Sequence, residues 1–165
     1  MKQLLLVSWL LSLSAILGLP EVKADVRMPL IFGNHMVLQQ DTRITIWGWA
    51  DAGENIEVLF AGQKVRTTAN ADGTWQVKLK PVKTKKKGET LTITGKNKLV
   101  YSDVLVGDVW VASGQSNMEW GIKVRKEYAD DIAHSEDSLL RLFFVPKNTS
   151  LQPLSEIEIP QGTAS

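Results

Sequence analysis

Between residues 36 and 105 apolar and polar positions alternate in short runs. Met36–Leu38, Arg43–Trp49, Asn55–Phe60, Gln63–Ala69, Thr74–Leu79 and Thr90–Thr94 are each rich in branched or aromatic residues. Turn-forming clusters separate them: Asp51-Ala-Gly-Glu54, Ala61-Gly-Gln63, Asn70-Ala-Asp-Gly73, a Lys85-Lys-Lys-Gly-Glu89 stretch and Gly95-Lys-Asn-Lys98. In Ile56-Glu-Val58 and Trp75-Gln-Val-Lys-Leu79 every second residue is apolar, the pattern of a strand with one buried and one wet face. Several such strands at this spacing predict an antiparallel sandwich or small barrel. Asp72-Gly73 is the strongest hairpin signal. The Lys83–Lys87 segment is expected to be a solvated hairpin loop ahead of Gly88.

The texture then changes. Asp103–Ala112 is a nearly continuous apolar run, which suits a strand buried on both faces. Met118, Ile122, Ala129, Ile132 and Ala133 follow at helical spacing, with Lys123, Arg125, Lys126, Glu127, Asp130 and Asp131 between them. Leu140–Val145 is a further apolar run closed by Pro146. Strand, helix and strand in that order predict a parallel βαβ unit. Two strands and one helix cannot close a core, so Val109, Leu142 and Phe144 are expected to be exposed.

The first 24 residues stand outside this pattern. Lys2 precedes an uncharged, apolar or small run from Leu4 to Leu19, and Val22-Lys-Ala24 offers a small-residue exit. Residues 1–24 therefore predict a secretory signal peptide cleaved after Ala24, with the mature chain secreted or periplasmic and without a stable membrane span. A formal net charge of +1 gives no general electrostatic reason to expect nucleic acid as a partner. The absence of cysteine from all 165 residues excludes disulfides, thiolate metal sites and a cysteine nucleophile. Asn148-Thr-Ser150 is formally a glycosylation sequon.

Candidate chemistry concentrates in Gly107-Asp-Val-Trp-Val-Ala-Ser-Gly-Gln-Ser-Asn-Met-Glu-Trp120. Ser116 has two readings. Ser116-Asn-Met-Glu119 fits a capping box, which explains both the serine and the glutamate without chemistry. Alternatively, a serine between a buried strand and a helix stands where α/β sheets place their active sites. There, backbone N–H groups favour a developing oxyanion, and Gly114 permits a tight turn. Asn117 and Met118 after the serine distinguish the motif from the G-x-S-x-G elbow.

These residues resemble the first signature block of the sialate O-acetylesterase family, among the SGNH-type ester hydrolases. Pro29-Leu-Ile-Phe-Gly-Asn-His-Met-Val-Leu-Gln39, Ile46-Trp-Gly-Trp-Ala50 and Asp72-Gly-Thr-Trp75 are similar to that family's β domain, and Arg141-Leu-Phe-Phe-Val-Pro146 to its second strand. The resemblance covers nearly all of residues 28 to 155. It implies a β-sandwich-like domain over 25–105, followed over 106–165 by the first strand–helix–strand of an incomplete α/β/α SGNH-hydrolase domain. It further implies Ser116 as nucleophile and backbone oxyanion donor, with Gly114, Gln115 and Asn117 supporting the turn. The implied substrate is an O-acetylated sialic acid or another acetylated glycan, and no metal or organic cofactor is implied.

A serine hydroxyl needs a base. The resemblance places the family's Asp and His in a block that follows these residues, so the chain is expected to be an N-terminal fragment with little or no turnover of its own. Of the two histidines, His35 is expected to serve a structural hydrogen bond or to lie near a domain junction. Asp131-Ile-Ala-His134 has D-x-x-H spacing. On one continuous helix, however, His134 would lie about 27 Å from Ser116, far beyond the ~3 Å a base requires. The competing reading is a secreted, non-catalytic sandwich that binds carbohydrate through Trp47, Trp49 and Trp75. It requires coplanar, exposed rings, whereas a structural role places them in the core. The sequence does not specify an oligomeric state.

Overall fold

The computed structural model describes residues 25–121 and 125–157. The expected leader, residues 1–24, lies outside them. The chain is mostly β-strand, with a curled main sheet and few helical residues. Seven strands form: β1 (Val37–Gln39), β2 (Ile44–Trp49), β3 (Asn55–Phe60), β4 (Gln63–Thr68), β5 (Thr74–Leu79), β6 (Lys85–Thr94) and β7 (Lys98–Gly107). Five of them make a sheet in the order β1-β7-β6-β3-β4, and β2 pairs with β5 in a second sheet. All pairs are antiparallel except β1 with β7, where Val37 stands opposite Leu105.

The alternation read from the sequence sets the packing. Ile56, Val58 and Phe60 of β3, Leu91 and Ile93 of β6, and Val104 and Val106 of β7 turn inward from the larger sheet. They meet Ile44 and Ile46 of β2 and Trp75, Val77 and Leu79 of β5 in one apolar cluster. Ile46, Val58, Leu91 and Ile93 have no solvent exposure, and each such side chain contributes about 1.5–3 kcal/mol of transfer free energy. The extended segment before β1 joins the second sheet through Arg27 and Trp49, whose backbones exchange two bonds of 2.9 Å. Next to that bridge Asn97 clamps Val26, accepting from its N–H and donating to its carbonyl at 2.9 Å each.

Two turn expectations are corrected. Asp72-Gly73 does not close a hairpin, because β4 and β5 belong to different sheets; it makes a corner between layers. Gly73 takes φ +78° there, and the Asp72 carboxylate accepts from the N–H and hydroxyl of Thr74. The two-residue hairpin is instead Ala61-Gly62, with φ of +49° and +73° between the paired Phe60 and Gln63, a combination in which positive φ at both positions matches strand twist. Lys85–Lys87 is strand rather than loop: Lys85 pairs with Val106 and Glu89 with Val104, with register irregularities around them. Lysine is disfavoured in strands on propensity alone, but here backbone pairing to β7 overrides it.

The expected strand–helix–strand over 103–145 is also corrected. β7 ends at Gly107, residues 108–115 form no strand, and none forms over 140–145. In place of one helix there are 3-10 turns at Ser116–Glu119 and Lys126–Tyr128 and a short α-helix, Ala129–Ala133; Ile122 and Lys123 lie outside the described residues. A strand that reads as continuously apolar needs a neighbouring strand to pair with and cover on both faces, and among the described residues these have neither. Val109, Leu142 and Phe144 are accordingly 49%, 89% and 79% exposed.

Candidate functional site

Two glutamines at the end of β1 hold the residues that lead from β7 toward the serine turn. Gln39 accepts from the N–H of Val109 at 2.8 Å, and Gln40 donates to the Asp108 carboxylate at 3.1 Å while its own N–H binds the Gly107 carbonyl. These bonds fix how the chain leaves β7. Their donors and acceptors are ordinary surface residues in sequence, and only the parallel β1–β7 pairing makes them a bracket.

Beyond that bracket the turn is open to solvent. Gln115 is the cap residue of the 3-10 turn and makes no side-chain cap bond, and Ser116 is the turn's first residue. Ser116 is therefore not at the cap position, and the turn closes through backbone bonds, from Met118 to Gln115 and from Trp120 to Asn117. Among the described residues the Ser116 hydroxyl has no hydrogen-bond partner. Gly114 faces Met118, whose Cγ would be 2.8 Å from an added Cβ. Gln115 and Asn117 are exposed beside the serine. The four predicted turn residues thus come together, with the hydroxyl outward.

Among the described residues no base hydrogen-bonds the serine. His134 follows the short helix and hydrogen-bonds through Nδ1 to the carbonyl of Asp130 at 2.8 Å, while Asp131 makes no bond to its ring. Ser116 and His134 belong to separate short elements, and the ring's Nδ1 bonds the carbonyl of its own turn. His35 Nδ1 meets Asp103 Oδ2 at 2.7 Å, and Arg141 Nη2 reaches the same oxygen at 3.0 Å. The hydrogen bond from His35, followed by that from Arg141, holds the Asp103 carboxyl below its ordinary value. Neither histidine hydrogen-bonds Ser116. Among the described residues no cluster of three or more metal-ligating side chains exists.

The tryptophans divide. Trp75 is 2% exposed in the core. Trp47 and Trp49 point away from that core, half-buried on the outer face of β2. Their ring planes meet at 73° with centroids 5.6 Å apart, and Arg27 lies 3.9 Å over the Trp49 ring while Phe32 packs edge-on to Trp47. They form neither the coplanar platform of a sugar-binding module nor part of the central core. Arg27 also pairs with Glu156 at 3.2 Å. A groove of about 360 Å³ runs along this junction, between Pro29, Ile31 and Trp47 on one side and Val145, Pro146 and Leu154 on the other.

No family model matches the chain. Over 141 residues it is 32% identical to the sialate O-acetylesterase of Mus musculus and 34% to that of Rattus norvegicus, covering 76% of this chain but 26% and 25% of those proteins. Identity to the Homo sapiens sialate O-acetylesterase is 28% over 148 residues. Among solved structures, a carbohydrate acetylesterase from Xanthomonas citri superposes with a TM-score of 0.75 at 36% identity, over 81% of this chain and 31% of that one. The chain thus spans about a quarter of the length of the curated relatives it matches.

Proposed function

Since this chain is related in sequence to the sialate O-acetylesterases and in structure to a carbohydrate acetylesterase, we propose that it is the N-terminal part of a secreted carbohydrate O-acetylesterase. The observation that carries the reading is the Gly114-Gln-Ser-Asn117 turn beyond β7, with a serine hydroxyl that makes no hydrogen bond among the described residues. Residues 25–105 are its β-sandwich-like domain, and residues 106–165 begin an SGNH-type α/β hydrolase domain. Residues 1–24 direct export.

In the reaction, Ser116 Oγ attacks the carbonyl carbon of the acetyl ester while a base accepts the hydroxyl proton. The Ser116 N–H stabilises the oxyanion, the sugar oxygen leaves with a proton, and water releases acetate from the acyl-enzyme. The substrate is an O-acetylated sialic acid or another acetylated glycan. Because neither histidine reaches Ser116, the 165 residues by themselves turn over little.

The test is hydrolysis of p-nitrophenyl acetate by the chain beside its Ser116→Ala variant, each alone and mixed with a polypeptide equivalent to the remaining three-quarters of a relative. Serine-dependent turnover only in the mixture is the expected result. Turnover equal in the two chains under every condition overturns the nucleophile assignment. Among the described residues no helix is long and apolar enough to cross a membrane.

A further inference from the structure

The two-stranded sheet buries one face and leaves the other outward, and the register defines what that outer face carries. Trp49 stands opposite Thr74, Trp47 opposite Gln76 and Thr45 opposite Lys78, and directly opposed residues share a face. One period of two beyond the ladder, Arg43 and Lys80 extend the same row. Arg43, Thr45, Gln76, Lys78 and Lys80 are all exposed. The face therefore grades from aromatic at Trp49 and Trp47 to cationic at Lys78, Lys80 and Arg43, with no acidic side chain on this face of either strand.

These cations are not spent on the fold. Among the described residues Arg43, Lys78 and Lys80 make no ion pair, whereas Lys64 and Arg66 on β4 are paired with Glu57. The aromatic end is shaped: Trp47 lines the open groove of about 360 Å³ bordered by Val145, Pro146 and Leu154, a volume in the range of small-molecule sites; the acidic side chain in its lining, Glu156, is paired with Arg27. An indole beside a row of unpaired cations suits a ligand with apolar ring faces and carboxylate substituents. Successive lysines on one strand face lie about 7 Å apart, so their long side chains can engage neighbouring anionic units of a polymer.

We propose that the outer face of β2 and β5 is a binding surface for a carboxylate-bearing glycan, with Trp47 contacting a sugar ring and Lys78, Lys80 and Arg43 binding its carboxylates. The identity of the partner as a glycan rests on the esterase reading; the surface itself does not involve Ser116. It would hold an acidic, acetylated polymer by a site separate from the serine turn. A nucleic acid fits less well, because the chain as a whole is nearly neutral and the face offers one groove-lining ring rather than a series of stacking platforms.

The experiment titrates the full chain with colominic acid, a linear homopolymer of sialic acid, following tryptophan fluorescence, with neutral xylan and a single-stranded oligonucleotide as comparators. Colominic acid is expected to bind saturably, and to bind more weakly as salt rises from about 20 to about 200 mM. Lys78→Gln with Lys80→Gln is expected to weaken it about tenfold, xylan and oligonucleotide to bind far less, and Ser116→Ala to bind as the parent does. Trp47→Ala, read by calorimetry and checked for its fold by circular dichroism, is expected to weaken binding similarly. Absence of colominic acid binding, indifference to the lysine pair, or equal oligonucleotide binding with the same lysine dependence each overturns the proposal. Unaltered binding by Ser116→Ala alongside a failed acetyl-ester assay separates loss of the esterase reading from loss of this surface.

Discussion

His35 Nδ1 lies 2.7 Å from Asp103 Oδ2, and both residues hold left-handed backbones, with φ of +63° and +52°. Neither is glycine, so each conformation carries a steric cost that its surroundings must offset. Part of the offset is visible: Arg141 joins the same carboxylate, and Gly88 leaves it room, since a Cβ there would lie 2.2 Å from Asp103 Oδ1 and 2.7 Å from Asp103 Cα. Arg141 brings the segment after residue 140 to β7. An isolated histidine in sequence carried only a structural expectation; the fold supplies its partner 68 residues away.

That cluster makes stability respond to acid. With its folded pKa below the ordinary 3.8, the Asp103 carboxylate contributes stability that is fully present above that value and is lost as pH falls through the lower, folded one. Thermal unfolding followed between pH 5 and 2 is expected to show a steeper loss in the parent than in Asp103→Asn, with Glu57 and Asp72, lowered for their own reasons, contributing equally to both. Identical slopes would remove Asp103 from the account.

Gly48 is expected to tolerate no side chain. An added Cβ would lie 2.3 Å from the carbonyl oxygen of Arg27 and 3.2 Å from Met28 and Trp75, forcing apart the Arg27–Trp49 bridge. Gly48→Ala is predicted to cost about 1–3 kcal/mol in urea unfolding, against a few tenths for the exposed Gly62 replaced by Asn, which accepts positive φ.

Glu54 is 8% exposed, and its two oxygens accept from the N–H groups of Lys96 at 2.6 Å and Asp51 at 3.2 Å. Replacing it with alanine removes both acceptors. Glu54→Ala is predicted to lose about 1–3 kcal/mol, and Glu54→Gln less, because the amide oxygen keeps one acceptor. Denaturant midpoints at constant slope distinguish the two.

Ser116→Ala separates cap from chemistry. A serine serving as a helix cap costs about 1 kcal/mol on truncation, whereas an exposed, unbonded hydroxyl costs less than about 0.5 kcal/mol. The smaller value is predicted for the same unfolding experiment, so that a loss of acetyl-ester turnover on this substitution in the proposed mixture would be chemical rather than structural.

The sequence by itself determined where the strands lie, because alternation of period two at Ile56-Glu-Val58 and Trp75-Gln-Val-Lys-Leu79 is a local consequence of one buried face. It also determined where the serine turn lies, through a motif whose residues are contiguous. Strand partnership belonged to the tertiary structure: Asp72-Gly73 reads as a hairpin, yet the core is filled only when β5 crosses to β2, so the turn becomes a corner. Lys85–Lys87 reads as loop, and pairing with β7 makes it strand. The run from Asp103 to Ala112 reads as one buried strand but stops at Gly107, since burial on two faces is a property of neighbours and not of the run itself. For the same reason no sequence pattern could assign Trp47 and Trp49: strand periodicity puts them on one face, and only the packing of the two sheets decides that it is the outer one.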